Sequence, residues 1–204
     1  MRRSSENSIR PDGPRLPGDF VATDHAGLNA YAALLTRWNE KINLVGRQDI
    51  ANLWPRHIED ALFLLRCLPP RESAPWVLDV GTGGGLPGMV LAIVDSQRNY
   101  VLFDRSERKI RFLNQVIAQL KLTNVHTLCG DFTKPVDEAQ TLIAKGSGEQ
   151  QIPDQFSAIC ARAVAPPVSL WTSVAHLLAV KGELLVACGP QTRDQLPSGV
   201  DVEW

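Results

Sequence analysis

Glycines and carboxylates stand at spacings that handle a nucleotide in the stretch "VLDVGTGGGLPG", Val77 to Gly88, which follows an apolar run and precedes "MVLAIV". Glycine has no Cβ to clash and accepts φ > 0, so a glycine-rich turn between a strand and a helix brings backbone close to a ligand. Asp79 lies inside the stretch, and Asp104 follows at the separation expected of an acid that accepts ribose hydroxyls. Gly81, Gly83 and Gly85 are the loop positions read as lying against the ligand.

These residues need a scaffold that aims them at one place. After "PPRESAP" short apolar segments alternate with amphipathic ones: "WVLDV", "YVLFD", "VHTLC", "FSAICA" and "GELLVAC" read as strands. "GMVLAIV", "SERKIRFLNQVIAQL", "PVDEAQTLIAK" and "VSLWTSVAHLLAV" read as the helices between them. Such alternation implies right-handed βαβ units and a parallel sheet with helices on both faces, an α/β doubly wound fold. Ligands in that fold sit outside the carboxyl ends of the strands. The first four strand ends then contribute Gly81 to Gly85, Asp104, Asp131 with Phe132, and Arg162 to one crevice.

Upstream, Leu28, Tyr31, Leu34, Leu35, Trp38 and Ile42 recur at helical spacing. Further helices are expected around "IANLW" and across "HIEDALFLLRCL", stopped by Pro69 and Pro70. The expected organisation is a disordered leader over residues 1–19, rich in Arg, Ser, Pro and Gly, a helical extension over 20–70, and a Rossmann-like domain over 71–204.

Composition bounds the rest. The chain has 204 residues, 21 Lys+Arg against 22 Asp+Glu, so any nucleic-acid surface must be a local patch. Cys67, Cys129, Cys160 and Cys188 form no C-x-x-C pair, which points to buried thiols and to no metal. No apolar run reaches the roughly 20 residues of a membrane span, and the N-terminal arginines precede no signal-peptide core. The expected setting is cytoplasmic, with no membrane and no metal.

The glycines admit two parses. "GGGLPG", Gly83 to Gly88, satisfies the dinucleotide pattern G-x-G-x-x-G, whereas Asp79 to Gly85 reads D-x-G-x-G-x-G and resembles the first motif of class I S-adenosylmethionine methyltransferases. A dinucleotide brings an anionic pyrophosphate to the loop. S-adenosylmethionine brings a sulfonium cation, which a carboxylate at Asp79 suits better, and Asp131 suits an adenine amino group. A short-chain dehydrogenase also needs Tyr-x-x-x-Lys, and neither Tyr31 nor Tyr100 has a lysine four residues on.

The resemblance narrows further. "DVGTGGGLPG" together with "WNEKINL" (Trp38 to Leu44), "RHIEDAL" (Arg56 to Leu62) and "ARA" (Ala161 to Ala163) is similar, in the same order, to the bacterial guanine-N7 methyltransferases of 16S ribosomal RNA, the glucose-inhibited division protein B family. That resemblance implies a Rossmann-like class I methyltransferase with an N-terminal helical extension, S-adenosylmethionine as donor, and 16S ribosomal RNA or the small ribosomal subunit as partner. It implies cofactor contacts from Gly81 and Leu86, an adenine flanked by Phe132 and Thr133, and Arg162 lining the pocket. A monomer is expected. A non-catalytic nucleotide- or ribosome-binding module on the same fold is the alternative, and an NAD-dependent dehydrogenase ranks behind it.

The cations agree in kind with an RNA substrate without identifying one. Arg56, His57, Arg105 and Arg162 stand on segments entering or leaving the crevice and are the candidates for RNA contact. Arg108, Lys109 and Arg111 read instead as the solvated face of a helix whose Ile110, Leu113 and Ile117 face the core. No residue is assigned as a general base; His57 and Arg162 are positioning candidates. Three features depart from the family: Cys188 stands where a lysine is usual before Gly189, the segment between Thr133 and Asp154 is longer than expected, and only 15 residues follow Gly189. The last leads to the expectation that the C-terminal strands of the class I fold are missing.

Overall fold

The computed structural model describes residues 22–132, 152–162 and 164–187. Helix α1 (Ala22–Asn39) is followed by a 3-10 turn (Arg47–Asn52), a π-helical turn (Trp54–Ile58) and α2 (Glu59–Leu65). Then come β1 (Trp76–Val80), α3 (Gly88–Val94), β2 (Asn99–Asp104), α4 (Glu107–Leu120), β3 (Val125–Cys129), β4 (Phe156–Arg162), α5 (Pro167–Val174), a 3-10 turn (Ala175–Leu177) and β5 (Leu178–Ala187). The leader, "PVDEAQTLIAK", most of the long segment before Asp154, Thr133, Ala163 and everything from Cys188 on lie outside the described residues.

The five strands form one parallel sheet in the order β3-β2-β1-β4-β5. The strand order therefore switches between β1 and β4, and in such a sheet ligands sit outside the carboxyl ends of the strands at that switch point. Period-two alternation divides the strands between two cores. Val77, Tyr100, Leu102, Val125, Ala158 and Cys160 face α3 and α4. Leu78, Val80, Val101, Phe103, Leu128 and Ile159 face α5.

Helix α4 shows why these elements form. Ile110, Phe112, Leu113, Val116 and Ile117 are buried on one face, and Lys121 closes the helix in the left-handed conformation at φ 54°. Each such side chain contributes about 1.5–3 kcal/mol by leaving water. The upstream helices do not stand apart: Leu28, Tyr31, Leu35, Ile58 and Leu62 are buried in the same core as Met89 and Leu113.

One boundary differs from expectation. "VSLWTSVAHLLAV" reads as a single helix, yet the helix ends at Val174 and strand begins at Leu178. Leu178 pairs with Phe156 and is buried against the α5-side core, so tertiary pairing overrides the helical periodicity of the last residues. A bulge with Lys181 at φ 64° then restores register between Ala158 and Glu183.

Candidate active site

The glycine loop follows β1 directly. Gly81, Gly83 and Gly85 have φ of 66°, 59° and 97°, the left-handed region that side chains disfavour. They nevertheless do different jobs. A Cβ at Gly85 would stand 2.7 Å from Met89 and 2.9 Å from Leu113, and one at Gly81 would stand 2.6 Å from Val164. A Cβ at Gly83 meets nothing nearer than 3.9 Å. Gly81 and Gly85 are therefore glycine for packing as well as for conformation, while Gly83 has room for a Cβ in ordinary contact with Leu44 and Lys109.

Carboxylates brace the loop from two sides. Asp79 Oδ2 accepts from Thr82 Oγ1 at 2.6 Å and from the Gly88 N–H at 2.7 Å, fastening the loop to the start of α3. Asp104 Oδ2 accepts from the Gly83 N–H at 2.9 Å and Oδ1 from the Ser106 N–H at 2.8 Å. A third brace comes from the helical extension, where the buried Tyr31 hydroxyl donates to Gly84 O at 2.8 Å. Burial pushes that hydroxyl's pKa up, so it remains a donor.

Asp79 is fully buried, and its Oδ1 has no hydrogen-bond partner. Burial raises its pKa to about 7, opposed by the bonds from Thr82 and Gly88 and by the charge of Arg162. Asp79, read from the sequence as a cofactor residue, sits beneath the loop and holds Thr82 and Gly88. Leu86, read likewise, has its side chain 4% exposed within the core, and its N–H donates to Thr82 O.

The other strand ends converge as the parallel topology requires. Asp104 is 6% exposed at the end of β2, and each of its oxygens keeps a second acceptor position beside the backbone N–H it already binds. Phe132, half-buried after β3, meets Phe103 edge-on at 6.3 Å. Asp131 is half-buried beside it. Arg162 ends β4, half-buried, and its Nη1 donates to Arg56 O at 3.4 Å. Burial lowers the pKa of its guanidinium against the opposing pull of Tyr31, Asp60, Asp79 and Asp49.

The π-helical turn carries Arg56 and His57, a wide turn of a type frequent at functional sites. Arg56 Nη1 pairs with Asp49 Oδ1 at 2.6 Å, and His57 Nε2 stands 3.7 Å from Asp49 Oδ2. Neither ring nitrogen of His57 makes a hydrogen bond, and burial followed by the charge of Arg162 lowers its pKa, keeping the ring neutral at pH 7. Arg105 is exposed at the entrance to α4.

Four participants escaped the sequence reading. Asp49, Tyr31 and Asn39 lie far from the glycine motif in the chain; Asn39 Oδ1 accepts from the N–H groups of Leu44 and Val45, shaping the segment beside Gly83 and Gly84. Lys109 was assigned to the solvated helix face, yet its Nζ lies 3.8 Å from Asp104 Oδ2. Only the acid at i−5 hinted at that contact.

The strand order, the glycine turn after β1 and the acid ending β2 define a Rossmann-like nucleotide-binding fold of the kind class I methyltransferases share with dinucleotide enzymes. The chain belongs to the GidB family, described as rRNA small subunit methyltransferase G, which matches residues 24–201. The ribosomal RNA small subunit methyltransferase G of Marinobacter nauticus is 36% identical over 180 residues, covering 86% of this chain and 75% of that protein. Its counterpart in Burkholderia lata is 35% identical over 190 residues, covering 91% and 78%. Among solved structures, cofactor-bound Rv0187 from MTB shares the fold at a TM-score of 0.50 and 15% identity, over 79% of this chain and 64% of that one. With the family established, the methyltransferase parse of the glycines describes the loop, not the dinucleotide parse.

Proposed function

We propose that the chain transfers a methyl group from S-adenosylmethionine to N7 of a guanine in the 16S ribosomal RNA of the small subunit. The observation that carries this reading is the match to the rRNA small subunit methyltransferase G family across residues 24–201, which embraces every segment forming the crevice.

The crevice suits the donor. Gly83 leaves space that a side chain would fill, Asp104 offers acceptors for ribose hydroxyls, and Phe132 with Asp131 offers an apolar edge and an acceptor for adenine. The Asp79 carboxyl beneath the loop, with one oxygen unpartnered, favours a cation above it once ionised. S-adenosylmethionine supplies the methyl group on its sulfonium. Thr133, expected on the adenine, lies outside the described residues.

Guanine N7 carries an in-plane lone pair at neutral pH, so attack needs no proton removed first. The protein's task is to align the reacting atoms at about 3–3.5 Å and to exclude water. Positive charge reaches the guanine ring as transfer proceeds, so Arg56, Arg105 and Arg162 serve by holding phosphate and sugar. Neutral His57 sits among them without adding a charge against the base.

The test is single-turnover transfer from radiolabelled S-adenosylmethionine to isolated small ribosomal subunits, with the product mapped by chemical cleavage at N7-methylguanine. With subunits and cofactor both saturating, the rate should be nearly flat between about pH 6 and 9, since no base must ionise. Label at another atom, or a tenfold rise through that window abolished by replacing one titratable residue, overturns the reading.

A further inference from the structure

Lys109 is the one lysine or arginine of the first two turns of α4 that contacts a crevice carboxylate, among the described residues. Its Nζ is 3.8 Å from Asp104 Oδ2 and 3.9 Å from a Cβ built at Gly83, so the ammonium lies over the loop on the side where a side chain would project. The side chain is 32% exposed. On the same stretch Arg105 and Arg108 are exposed to solvent.

We propose that Lys109 is a two-position cation coupling the two substrates: ribose hydroxyls arriving on Asp104 displace its ammonium outward, where it binds an RNA phosphate. The inference rests on the reading of Asp104 as the ribose acceptor.

The geometry supplies the exchange. One of the two acceptor positions on Asp104 Oδ2 is taken by the Gly83 N–H, and the ammonium stands 3.8 Å from the same oxygen, in the way of a ribose hydroxyl approaching the other. At 3.8 Å the ammonium is held by charge without a hydrogen bond, and a partly exposed pair of this kind is readily given up. A ligand lying over Gly83 also occupies the space the ammonium fills. Once displaced, the four-carbon stem carries the charge outward beside Arg105 and Arg108. Three cations gathered on one helix entrance repel one another, and a polyanion relieves that repulsion. Cofactor therefore strengthens RNA binding and, by linkage, RNA strengthens cofactor binding by the same factor.

The experiment uses the full chain with S-adenosylhomocysteine and isolated small ribosomal subunits. Subunit affinity is measured with and without saturating S-adenosylhomocysteine across a monovalent-salt series, and S-adenosylhomocysteine affinity by calorimetry. In the unaltered protein S-adenosylhomocysteine should tighten subunit binding about fivefold or more, and steepen the dependence of log K on log salt by about 0.7–0.9, the signature of one added phosphate contact. Lys109→Ala and Lys109→Gln should lose both effects while S-adenosylhomocysteine binds equally or more tightly; Lys109→Arg should keep them. No coupling in the unaltered protein, coupling that survives in Lys109→Ala, or S-adenosylhomocysteine affinity that falls there as it does in Asp104→Ala each overturns the proposal. An Asp104→Ala protein with undiminished S-adenosylhomocysteine affinity overturns instead the ribose reading beneath it.

Discussion

Two ends of one sheet bury charge in opposite ways. At the amino end, Asp95 is 2% exposed, with Arg98 Nε at 2.9 Å from Oδ2 and Arg71 Nε at 3.1 Å from Oδ1 as ion contacts. Arg98 also donates to Pro69 O and Ala74 O, and Asn124 Nδ2 lies within bonding distance of the carbonyls of Ala92, Asp95 and Arg98. At the carboxyl end, Asp79 is equally buried, and its Oδ1 has neither a hydrogen bond nor an ion contact among the described residues, whereas Asp95 Oδ1, also without a hydrogen bond, keeps the guanidinium of Arg71 beside it. Compensated charge ties β1, β2 and β3 together at one end. At the other end the Asp79 carboxyl lacks such a cation beside it, and perturbed groups of that kind gather in functional sites.

That contrast is open to direct attack, beginning at the amino end. Asp95→Ala strands the buried Arg98 guanidinium, so denaturant unfolding should show a loss of about 3–5 kcal/mol. Cofactor affinity of the folded fraction should stay unchanged, and a large loss would join the two ends energetically.

Asp79 predicts a pH dependence of the opposite character. Its folded pKa of about 7 lies above the ordinary 3.8, so the folded state holds the proton more tightly. Its stabilising contribution is therefore complete below pH 3.8 and is lost as pH rises to about 7. Relative to Asp79→Asn, the unaltered protein should lose on the order of 2–4 kcal/mol of stability over that range. Melting curves of the two proteins that stay parallel in pH would show the carboxyl already ionised. Cofactor binding, in turn, should tighten from pH 6 to 8 in the unaltered protein alone, as calorimetry can read.

Asp104→Ala removes charge-assisted acceptors worth about 1.5–3 kcal/mol, so S-adenosylmethionine affinity should fall roughly ten- to a hundredfold in calorimetric titration. The smallest stability effect belongs to Gly83→Ala: with φ at 59° but room for a Cβ, the substitution should cost only about 1–2 kcal/mol in unfolding. Its cofactor affinity should drop by more than that stability loss accounts for. The reverse ranking, intact binding in a badly destabilised protein, would make Gly83 a packing glycine like Gly85.

Much of the architecture was legible in the chain because it is local. β1 and β3 match "WVLDV" and "VHTLC" residue for residue, since strand alternation and flanking turns are written in neighbouring side chains. The crevice followed from topology: once the strands are parallel, Gly83, Asp104, Phe132 and Arg162 must emerge at the same edge. The family motif added the substrate class, which no periodicity contains.

Tertiary structure alone decided what each of those residues does. Asp79, Gly83 and Gly85 sit within one seven-residue motif, yet one is a buried strut, one has room for a Cβ and one is hemmed in by Met89 and Leu113. Tyr31 reaches Gly84 across 53 residues, and Asp49 meets Arg56 from a neighbouring turn whose π-helical winding no propensity foretells. Lys109 turns inward because Asp104 waits at the end of the adjacent strand, although helical periodicity puts it outside. Sequence patterns report which face of an element is apolar; which charges meet above the sheet depends on how those elements dock, and docking is set by contacts between residues distant in the chain.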